Sequence, residues 1–285
     1  MAGPTGNLPP IPGEMIESIQ EGRACVFVGA GLSAGAGYLP WRNFLKSLLD
    51  RAHERNFGVT DTQVDELKGL IDQGDKLLMV AEELKERFGK ERFEDDLVKI
   101  FGEKKDPTSA HTKLMNVPFR FAVTTNYDLL LERAYVAKHS DFPSAYTHMQ
   151  PAEIAEALWR NEYFILKAHG DVKNRASIVI TERDYRDIVF RSHGYRSAMG
   201  AILTTNTMIF LGVSLDDPEL KLLLAFLHDA FHGGTTHYAL VPKSQFSATV
   251  VNRWRKDYSI ECLCFTPSEG YPEVEQFIDA LPKIE

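Results

Sequence analysis

Continuous apolar runs of strand length recur along the chain. The first covers residues 24–28, contains no polar residue and ends directly in glycines. Five more follow, at residues 119–123, 163–167, 207–211, 237–241 and 260–265. A run without polar alternation is typical of a strand that is covered on both faces, as in a parallel sheet. Residues 177–180 indicate a further short strand.

Segments with helical periodicity lie between these runs. They cover residues 127–138, 151–159, 195–203, 218–231, 244–258 and 272–281, and a short one at residues 13–21 precedes the first strand. Strands that alternate with helices in this rhythm predict an α/β fold, a doubly wound parallel sheet with right-handed crossovers.

The stretch from about residue 43 to 115 differs from the rest of the chain. It carries charged amphipathic segments and no convincing strand. We therefore predict a helical insertion module between the first two strands. In this organisation residues 1–23 form an N-terminal arm with a short helix, and residues 24–285 form one domain.

Composition and charge narrow the functional classes. The 285 residues are 44% hydrophobic and 25% charged, which is typical of a soluble globular protein. Acidic residues outnumber basic ones by 40 to 32, so the net charge of −8 provides no broad footprint for nucleic acid, and no direct nucleic-acid contact is expected.

Cysteine usage and hydropathy indicate the compartment. Cys25, Cys262 and Cys264 form no Cys-x-x-Cys pair, so the chain offers neither a disulfide scaffold nor a four-cysteine zinc site. No apolar run approaches the roughly 20 residues of a membrane helix, and the N-terminus lacks the features of a signal peptide. We expect a cytoplasmic protein without a membrane partner.

A glycine-rich turn follows the first strand. Gly29, Gly31 and Ala34 satisfy the loose form of the dinucleotide fingerprint, in which amides at the start of the next helix hold a pyrophosphate. The acidic residue expected after a second strand is missing, since Asp50 lies in a helical pattern. A standard hydride-transfer protein is therefore disfavoured. A tight turn that needs glycine for packing is the alternative.

Polar residues follow the second strand, in the order Thr125, Asn126, Tyr127 and Asp128. Ligands bind at the carboxyl edge of open α/β sheets, and an asparagine can both donate and accept hydrogen bonds there. Asn126 is therefore suited to orient a ribose hydroxyl or a water. The alternative is that Asn126 or Thr125 caps a helix that starts near Tyr127.

The third and fourth motifs also follow strands. His169 comes after a buried run, and imidazole is easily poised as a base near neutral pH, although a lone histidine is more often structural. Gly212 and Ser214 could face a ribose or phosphate. Asp217 and Pro218 indicate a helix N-cap and first turn, hence architecture. Four strand ends with small or polar residues at one edge favour a ligand site.

Taken in order, the motifs resemble those of sirtuins, and most resemble the bacterial sirtuin-like branch of anti-phage defence. The resemblance is carried by Gly29-Ala30-Gly31-Leu32-Ser33, Pro40-Trp41-Arg42, Thr125-Asn126-Tyr127-Asp128, Lys167-Ala168-His169-Gly170 and Gly212-Val213-Ser214. It implies a Rossmann-like NAD-binding domain that cleaves the bond between nicotinamide and ribose.

The resemblance also implies roles at the phosphate side of NAD. Ala30, Gly31 and Ser33 would contact the pyrophosphate and the adjacent ribose. Gly212 and Ser214 match the loop on the adenosine side.

At the other end of NAD, Arg42 matches the loop arginine near the nicotinamide, and Asn126 and Asp128 match the nicotinamide-ribose pocket. His169 matches the general base. Two departures matter: the acid that precedes the aromatic residue and arginine in protein-deacylating sirtuins is Pro40 here, and the cysteines of the zinc module are absent. Both weaken acyl-lysine chemistry, and no zinc is expected.

The resulting hypothesis is an NAD hydrolase that releases nicotinamide and ADP-ribose. Asn126 would position the attacking water and the ribose, and His169 would take a proton. The alternatives are an NAD-dependent protein deacylase or ADP-ribosyltransferase, and a non-catalytic sensor of NAD or ADP-ribose. The resemblance further implies a defence effector that is triggered by a partner, such as a HerA-type hexameric ATPase, and a homo-oligomer is expected.

Overall fold

The computed structural model describes residues 8–74, 76–215, 217–231 and 234–284, so residues 1–7 of the predicted arm lie outside the described residues. All strands belong to one seven-stranded sheet of order β3-β4-β2-β1-β5-β6-β7, in which every neighbouring pair is parallel. The strands are β1 (Ala24–Val28), β2 (Ala122–Thr124), β3 (Ser144–Thr147), β4 (Phe164–Lys167), β5 (Thr207–Leu211), β6 (His237–Pro242) and β7 (Ile260–Phe265). The predicted α/β, Rossmann-like doubly wound fold is confirmed.

Helices cover both faces of the sheet and fill the segment between β1 and β2. They are α1 (Gly13–Gln20), α2 (Ala30–Ala34), α3 (Trp41–Glu54), α4 (Asp61–Gln73), α5 (Leu77–Phe88), α6 (Lys90–Phe101), α7 (Ser109–Leu114), α8 (Leu130–His139), α9 (Pro151–Arg160), α10 (Glu182–Arg191), α11 (His193–Thr205), α12 (Pro218–Phe231), α13 (Ala248–Tyr258) and α14 (Pro272–Ala280). Within the described ranges, no helix is both long and apolar enough to cross a bilayer.

The sheet is buried on both faces, which explains its unalternated apolar runs. Side chains such as Phe27 and Phe210 pack on one face beneath α9 to α13. Val26 and Ile209, their neighbours in the sequence, pack on the opposite face against α1, α7, α8 and α14. Because successive strand residues point to opposite faces, an inner strand that is covered on both faces consists mainly of apolar residues.

The helices α3 to α6 form a core of their own. Fully buried side chains such as Phe44, Leu48 and Phe93 build it. An ion pair of 3.1 Å between Lys85 of α5 and Asp184 of α10 links these helices to the sheet-covering layer. The segment between β1 and β2 is therefore helical. Tyr127, which follows β2, packs into the core of α3 to α6, so this core lies at the carboxyl ends of the strands.

Two strand assignments differ from the sequence prediction. The strand predicted at residues 177–180 is wrong: Arg175–Ser177 is a 3₁₀ helix, and Val179 donates its N–H to the His169 carbonyl at 2.9 Å instead of joining a strand ladder. Conversely, β3 was not predicted. It is an edge strand whose first residues are exposed, so its side chains lack the apolar pattern of the inner strands.

The chain changes direction across the sheet at β1. It passes from β1 to β2 on one side, whereas β5, which pairs with β1 on the other side, leads on to β6. The carboxyl ends of β1 and β5 therefore form the topological switch point, where ligands of open α/β sheets bind.

Candidate functional site

The loops after β1 and β5 touch at the switch point. The Gly31 N–H donates to the Gly212 carbonyl at 2.9 Å. A Cβ on Gly29 would lie 2.5 Å from that same carbonyl oxygen, and Gly212 itself has φ of +65°. The close backbone approach thus requires glycine, as the packing interpretation stated. Gly31 and the preceding Ala30 are nevertheless exposed at the sheet edge, where a ligand would approach.

Asn126 contacts the β1 loop and does not cap α8. The helix begins at Leu130, three residues later than predicted, and the Leu130 N–H is accepted by Asp128 Oδ1 at 3.0 Å. The Asn126 Nδ2 group donates to the Gly29 carbonyl at 3.0 Å and to Ser33 Oγ at 2.9 Å. The capping alternative for Asn126 is therefore wrong.

Ser33 connects Asn126 to Asp128. Its hydroxyl donates to Asp128 Oδ2 at 2.7 Å while it accepts from Asn126. Asn126 is 9% exposed and Asp128 is 5% exposed. Three residues that the sirtuin resemblance assigns to NAD are therefore joined in one buried hydrogen-bond chain.

Lys167 supports the loop that carries these residues. Its side chain is fully buried, and its ammonium donates to the backbone carbonyls of Tyr127 at 3.1 Å and Asp128 at 2.6 Å. It also pairs with the carboxylates of Glu132 at 3.1 Å and Asp171 at 3.5 Å. The sequence indicated Lys167 only as part of a motif, because all of these partners except Asp171 are distant in the sequence.

His169 lies one strand away from Asn126. The adjacent strands β2 and β4 pair Thr124 with Lys167. Asn126 lies two residues after Thr124, and His169 lies two residues after Lys167. The Ala168 N–H also donates to the Thr124 carbonyl at 2.8 Å. Asn126 and His169 are therefore neighbours at one edge of the sheet.

The imidazole of His169 is buried in a cluster of polar side chains. Its Nε2 lies 3.1 Å from Asp217 Oδ2, which also accepts from the Tyr185 hydroxyl at 2.8 Å. The Tyr185 and His169 rings meet edge to face, with centroids 5.1 Å apart. Asp217 Oδ1 accepts the Leu220 N–H at 2.8 Å, so the predicted N-cap exists, but the other oxygen faces His169.

Arg42 and Ser214 lie apart from this chain of contacts. Arg42 is exposed at the start of α3, and its Nη1 donates to the Asp72 carbonyl at 2.9 Å. Ser214 is exposed in the loop after β5. The described contacts thus place Arg42 on the helical segment, whereas Ser214 lies on the switch-point loop.

His111 is a buried histidine whose position the sequence left open between a structural role and the pocket. Its Nδ1 lies 2.8 Å from Thr108 Oγ1, and Nε2 has no hydrogen-bond partner among the residues that the structure describes. Burial lowers the pKa of His111 to about 4, and the nearby Asp128 carboxylate opposes this shift. His111 is therefore a neutral imidazole beside the site residues.

The donor set of the site consists of amides, hydroxyls, imidazoles and carboxylates. Across the described ranges, no group of three or more His, Cys, Asp or Glu side chains is arranged to hold a metal ion. The thiols lie on the strands: Cys25 is buried in the core, and burial raises the pKa of Cys262 to about 12. The described geometry suits a polar organic ligand.

Comparison of the sequence with known proteins matches the chain to a family. The profile of the SIR2-like domain covers residues 120–263, which include Asn126, His169 and Gly212. An NAD(+) hydrolase ThsA from Bacillus cereus (strain MSX-D12) is 26% identical over 234 residues, which are 81% of this chain and 46% of the relative.

Two further curated relatives also match the chain. ThsA from Enterococcus faecium is 29% identical over 214 residues, covering 73% of this chain and 41% of the relative. Defense-associated sirtuin 2 from Bacillus subtilis is 27% identical over 226 residues, covering 77% of this chain and 21% of the relative. The chain spans less than half the length of these relatives.

Proposed function

Because this chain belongs to the SIR2-like domain family, we propose that it is an NAD hydrolase, which cleaves the bond between nicotinamide and ribose. The observation that carries the proposal is the register of β2 and β4, which places the buried residues Asn126 and His169 after neighbouring strands. Buried groups of this kind beside a switch point suit chemistry on a bound ligand better than architecture.

The site has features that a dinucleotide requires. Ala30 and Gly31 are exposed, and so is Ser214 in the loop after β5, so that all three are accessible to the phosphates and the adenosine ribose. The buried Nε2 of His111, which lacks a partner in the described part of the chain, offers one more polar contact near Asp128. Arg42, at the start of α3, is assigned to the nicotinamide side in this proposal.

The reaction balances with water as the second substrate. The bond between ribose C1′ and the nicotinamide nitrogen breaks, its electron pair stays with nicotinamide, and the water oxygen bonds to C1′. Asn126 positions the water and the ribose, and His169 takes the proton that the water loses. Nearby dipoles and the Asp128 carboxylate stabilise the positive charge that develops on the ribose. The products are nicotinamide, ADP-ribose and a proton.

Nicotinamide release measured by chromatography tests this proposal. Asn126→Ala and His169→Ala should each lower the rate by about 10²- to 10⁴-fold, because a positioned acid or base contributes that much. Asn43→Ala and His193→Ala remove the same side-chain types from exposed helical positions and should leave the rate unchanged. A folded His169→Ala protein that hydrolyses NAD at the parental rate would remove His169 from the mechanism.

The same assay separates the alternative activities. Deacylation of an acyl-lysine peptide, or ADP-ribose attached to a protein, would identify transfer to an acceptor other than water. Tight binding of NAD without nicotinamide release would identify a sensor. Hydrolysis is favoured because Asn126 and His169 follow neighbouring strands, and because the resemblance to sirtuins implies that Pro40 stands where the protein deacylases have an acid.

A free NAD hydrolase would deplete its own cell, so we further propose a cytoplasmic defence effector under the control of partners. Its partners would be further copies of the chain and a HerA-type hexameric ATPase. Exposed apolar side chains support association: Trp159 is 85% exposed, and Leu222 and Phe226 of α12 are 53% and 65% exposed. Mass photometry, with nicotinamide release measured with and without the ATPase, tests both partners.

A further inference from the structure

We propose that Asp217 is the positioning residue of His169: its carboxylate holds the imidazole in the tautomer whose Nδ1 can take a proton. The catalytic part of this inference rests on the proposed NAD hydrolysis, but the pairing itself does not. Sequence reasoning assigned Asp217 to helix capping alone. The structure gives its second oxygen a different partner.

The geometry of the pair is that of a charge-assisted hydrogen bond. The distance from His169 Nε2 to Asp217 Oδ2 is 3.1 Å, and the two side chains are only 8% and 13% exposed. A carboxylate that accepts from Nε2–H fixes the tautomer in which Nδ1 carries the lone pair. The imidazole then has the protonation state of a base, and the Tyr185 hydroxyl lies 3.3 Å from both of its ring nitrogens.

Asp217 is itself held in place from several sides. Its Oδ1 accepts the Leu220 N–H at 2.8 Å, and its Oδ2 accepts the Tyr185 hydroxyl at 2.8 Å. The loop before it is anchored by Leu215, which is fully buried although its φ is +62°. A non-glycine residue persists in this conformation only where its surroundings enforce it. The carboxylate is therefore a rigid support.

The contact also crosses the sheet edge. His169 follows β4 and Asp217 follows β5, and the sheet order places β2 and β1 between these strands. Capping of α12 requires only Oδ1 and would not bring the other oxygen to His169. Helix capping therefore does not explain the contact between Asp217 and His169, which spans the ends of β1 and β2.

The charges around the pair favour an ionised carboxylate. Burial would raise the pKa of Asp217, but the His169 imidazole and the hydrogen bonds from Leu220 and Tyr185 hold it below its usual value. His148 also faces His169 from the segment before α9; burial lowers its pKa, and His169 lowers it further, while Asp184 opposes both effects. Asp217 is therefore an ionised partner of His169.

Titration of His169 by NMR tests the pair without any need for activity. In Asp217→Asn the amide oxygen can still accept from Leu220, so the cap and the side-chain volume are kept while the charge is lost. The midpoint of the His169 ring signal, assigned by its loss in His169→Ala, should fall by about one pH unit or more, because an opposite charge nearby favours the protonated form. The exposed Asp187→Asn is the matched control. An unchanged midpoint would overturn the pairing.

Nicotinamide release measures the catalytic consequence. Asp217→Asn should lower kcat by about 10- to 100-fold, less than loss of the base, with KM nearly unchanged. Since the neutral imidazole is the base, activity rises with pH through its pKa, and the acidic limb should move to lower pH in Asp217→Asn. Tyr185→Phe removes a hydrogen bond to Asp217 but keeps its charge, so kcat should fall to a smaller extent while the acidic limb stays in place.

The two possible failures are distinct. A parent protein that releases no nicotinamide, alone or with its partner, contradicts the proposed function, while the NMR result still decides the pairing. An active parent with an Asp217→Asn variant of equal kcat and equal acidic limb contradicts the positioning role and leaves hydrolysis intact.

Discussion

At the scale of single residues, the closest constraint is the backbone contact between the β1 and β5 loops. Gly29 and Gly212 meet where a methyl group has no room, since a Cβ on Gly29 would lie 2.5 Å from a backbone oxygen. A backbone atom cannot move aside as the end of a flexible side chain can. The contact therefore fixes the distance between the two loops at the switch point.

Gly29→Ala should destabilise the protein by about 1–3 kcal/mol, the usual cost of overpacking a tight site. The measurement is the free energy of unfolding in urea. Gly13→Ala is the matched control, because nothing lies within 4 Å of its Cβ position in α1, and its stability should be unchanged or raised by up to about 1 kcal/mol. Equal urea midpoints for Gly29→Ala and the parent would show that the loops can separate without cost.

The site residues differ in how far sequence could reveal them. Asn126 and His169 follow apolar strands directly, so the strand pattern predicted their common edge. Asp217 and Lys167 act through contacts 48 and 35 to 40 residues away in the chain, which no local pattern encodes. The contacts of Asp217 with His169 and of Lys167 with the loop after β2 depend on the strand order, which the sequence does not give.

At the scale of elements, β4 and the loop after β2 are joined by one buried ammonium. Lys167 belongs to β4, and its Nζ donates to the carbonyls of Tyr127 and Asp128 as well as pairing with Glu132 at the start of α8. Burial of a charge is costly unless it is paired and hydrogen-bonded. The loop bearing Asn126 is thereby tied to the strand bearing His169.

Lys167→Met should therefore cost about 3–5 kcal/mol of stability, because it leaves the buried Glu132 without its counter-charge. The control is Lys46→Met, which removes an exposed ion pair to Asp72 and should change stability by less than about 1 kcal/mol. Thermal and urea unfolding of both variants provide the comparison. An equal loss of unfolding free energy in the two variants would show that the contacts of Lys167 do not stabilise the fold.

Edge and loop elements were the ones that sequence analysis missed. β3 pairs only with β4 and is largely exposed, so burial imposes no apolar pattern on it. The apolar residues 178–180 indicated a strand, but Ile178 and Ile180 pack into the core of α3 to α6. An apolar segment is expected to be buried, but its sequence does not say against which element. Here the segment packs against a helical core and not beside a neighbouring strand.

At the scale of the whole molecule, the hydrophobic pattern predicted the inner strands and most of their covering helices, but not α10 or the order of the strands. The pattern reports that a strand is buried on both faces, not which strand lies beside it. That order places β4, β2, β1 and β5 side by side, and so brings the four predicted motifs to one edge.

Two buried histidines in different layers of the molecule make its stability depend on pH. Burial lowers the pKa of His111 and of His237 to about 4 each. Both are neutral in the folded protein, whereas the unfolded chain binds protons with a pKa of about 6.5. The unfolded state therefore takes up more protons below that pH, so stability is highest above about pH 6.5 and falls as the pH drops toward 4.

The free energy of unfolding should decrease between pH 7 and pH 5 with a slope that approaches about 1.4 kcal/mol per pH unit for each of the two histidines. His237→Asn supplies an amide oxygen that can accept the Met208 N–H now bound by His237 Nδ1 at 3.2 Å, so it removes the proton uptake with little other change. Urea unfolding of this variant across the same pH range should then show a slope that is smaller by up to about 1.4 kcal/mol per pH unit, which corresponds to one proton. His193→Asn, an exposed histidine, should keep the parental slope. Identical slopes in all three proteins would mean that His237 is protonated equally in the folded and unfolded states, contrary to its full burial beneath the sheet-covering helices.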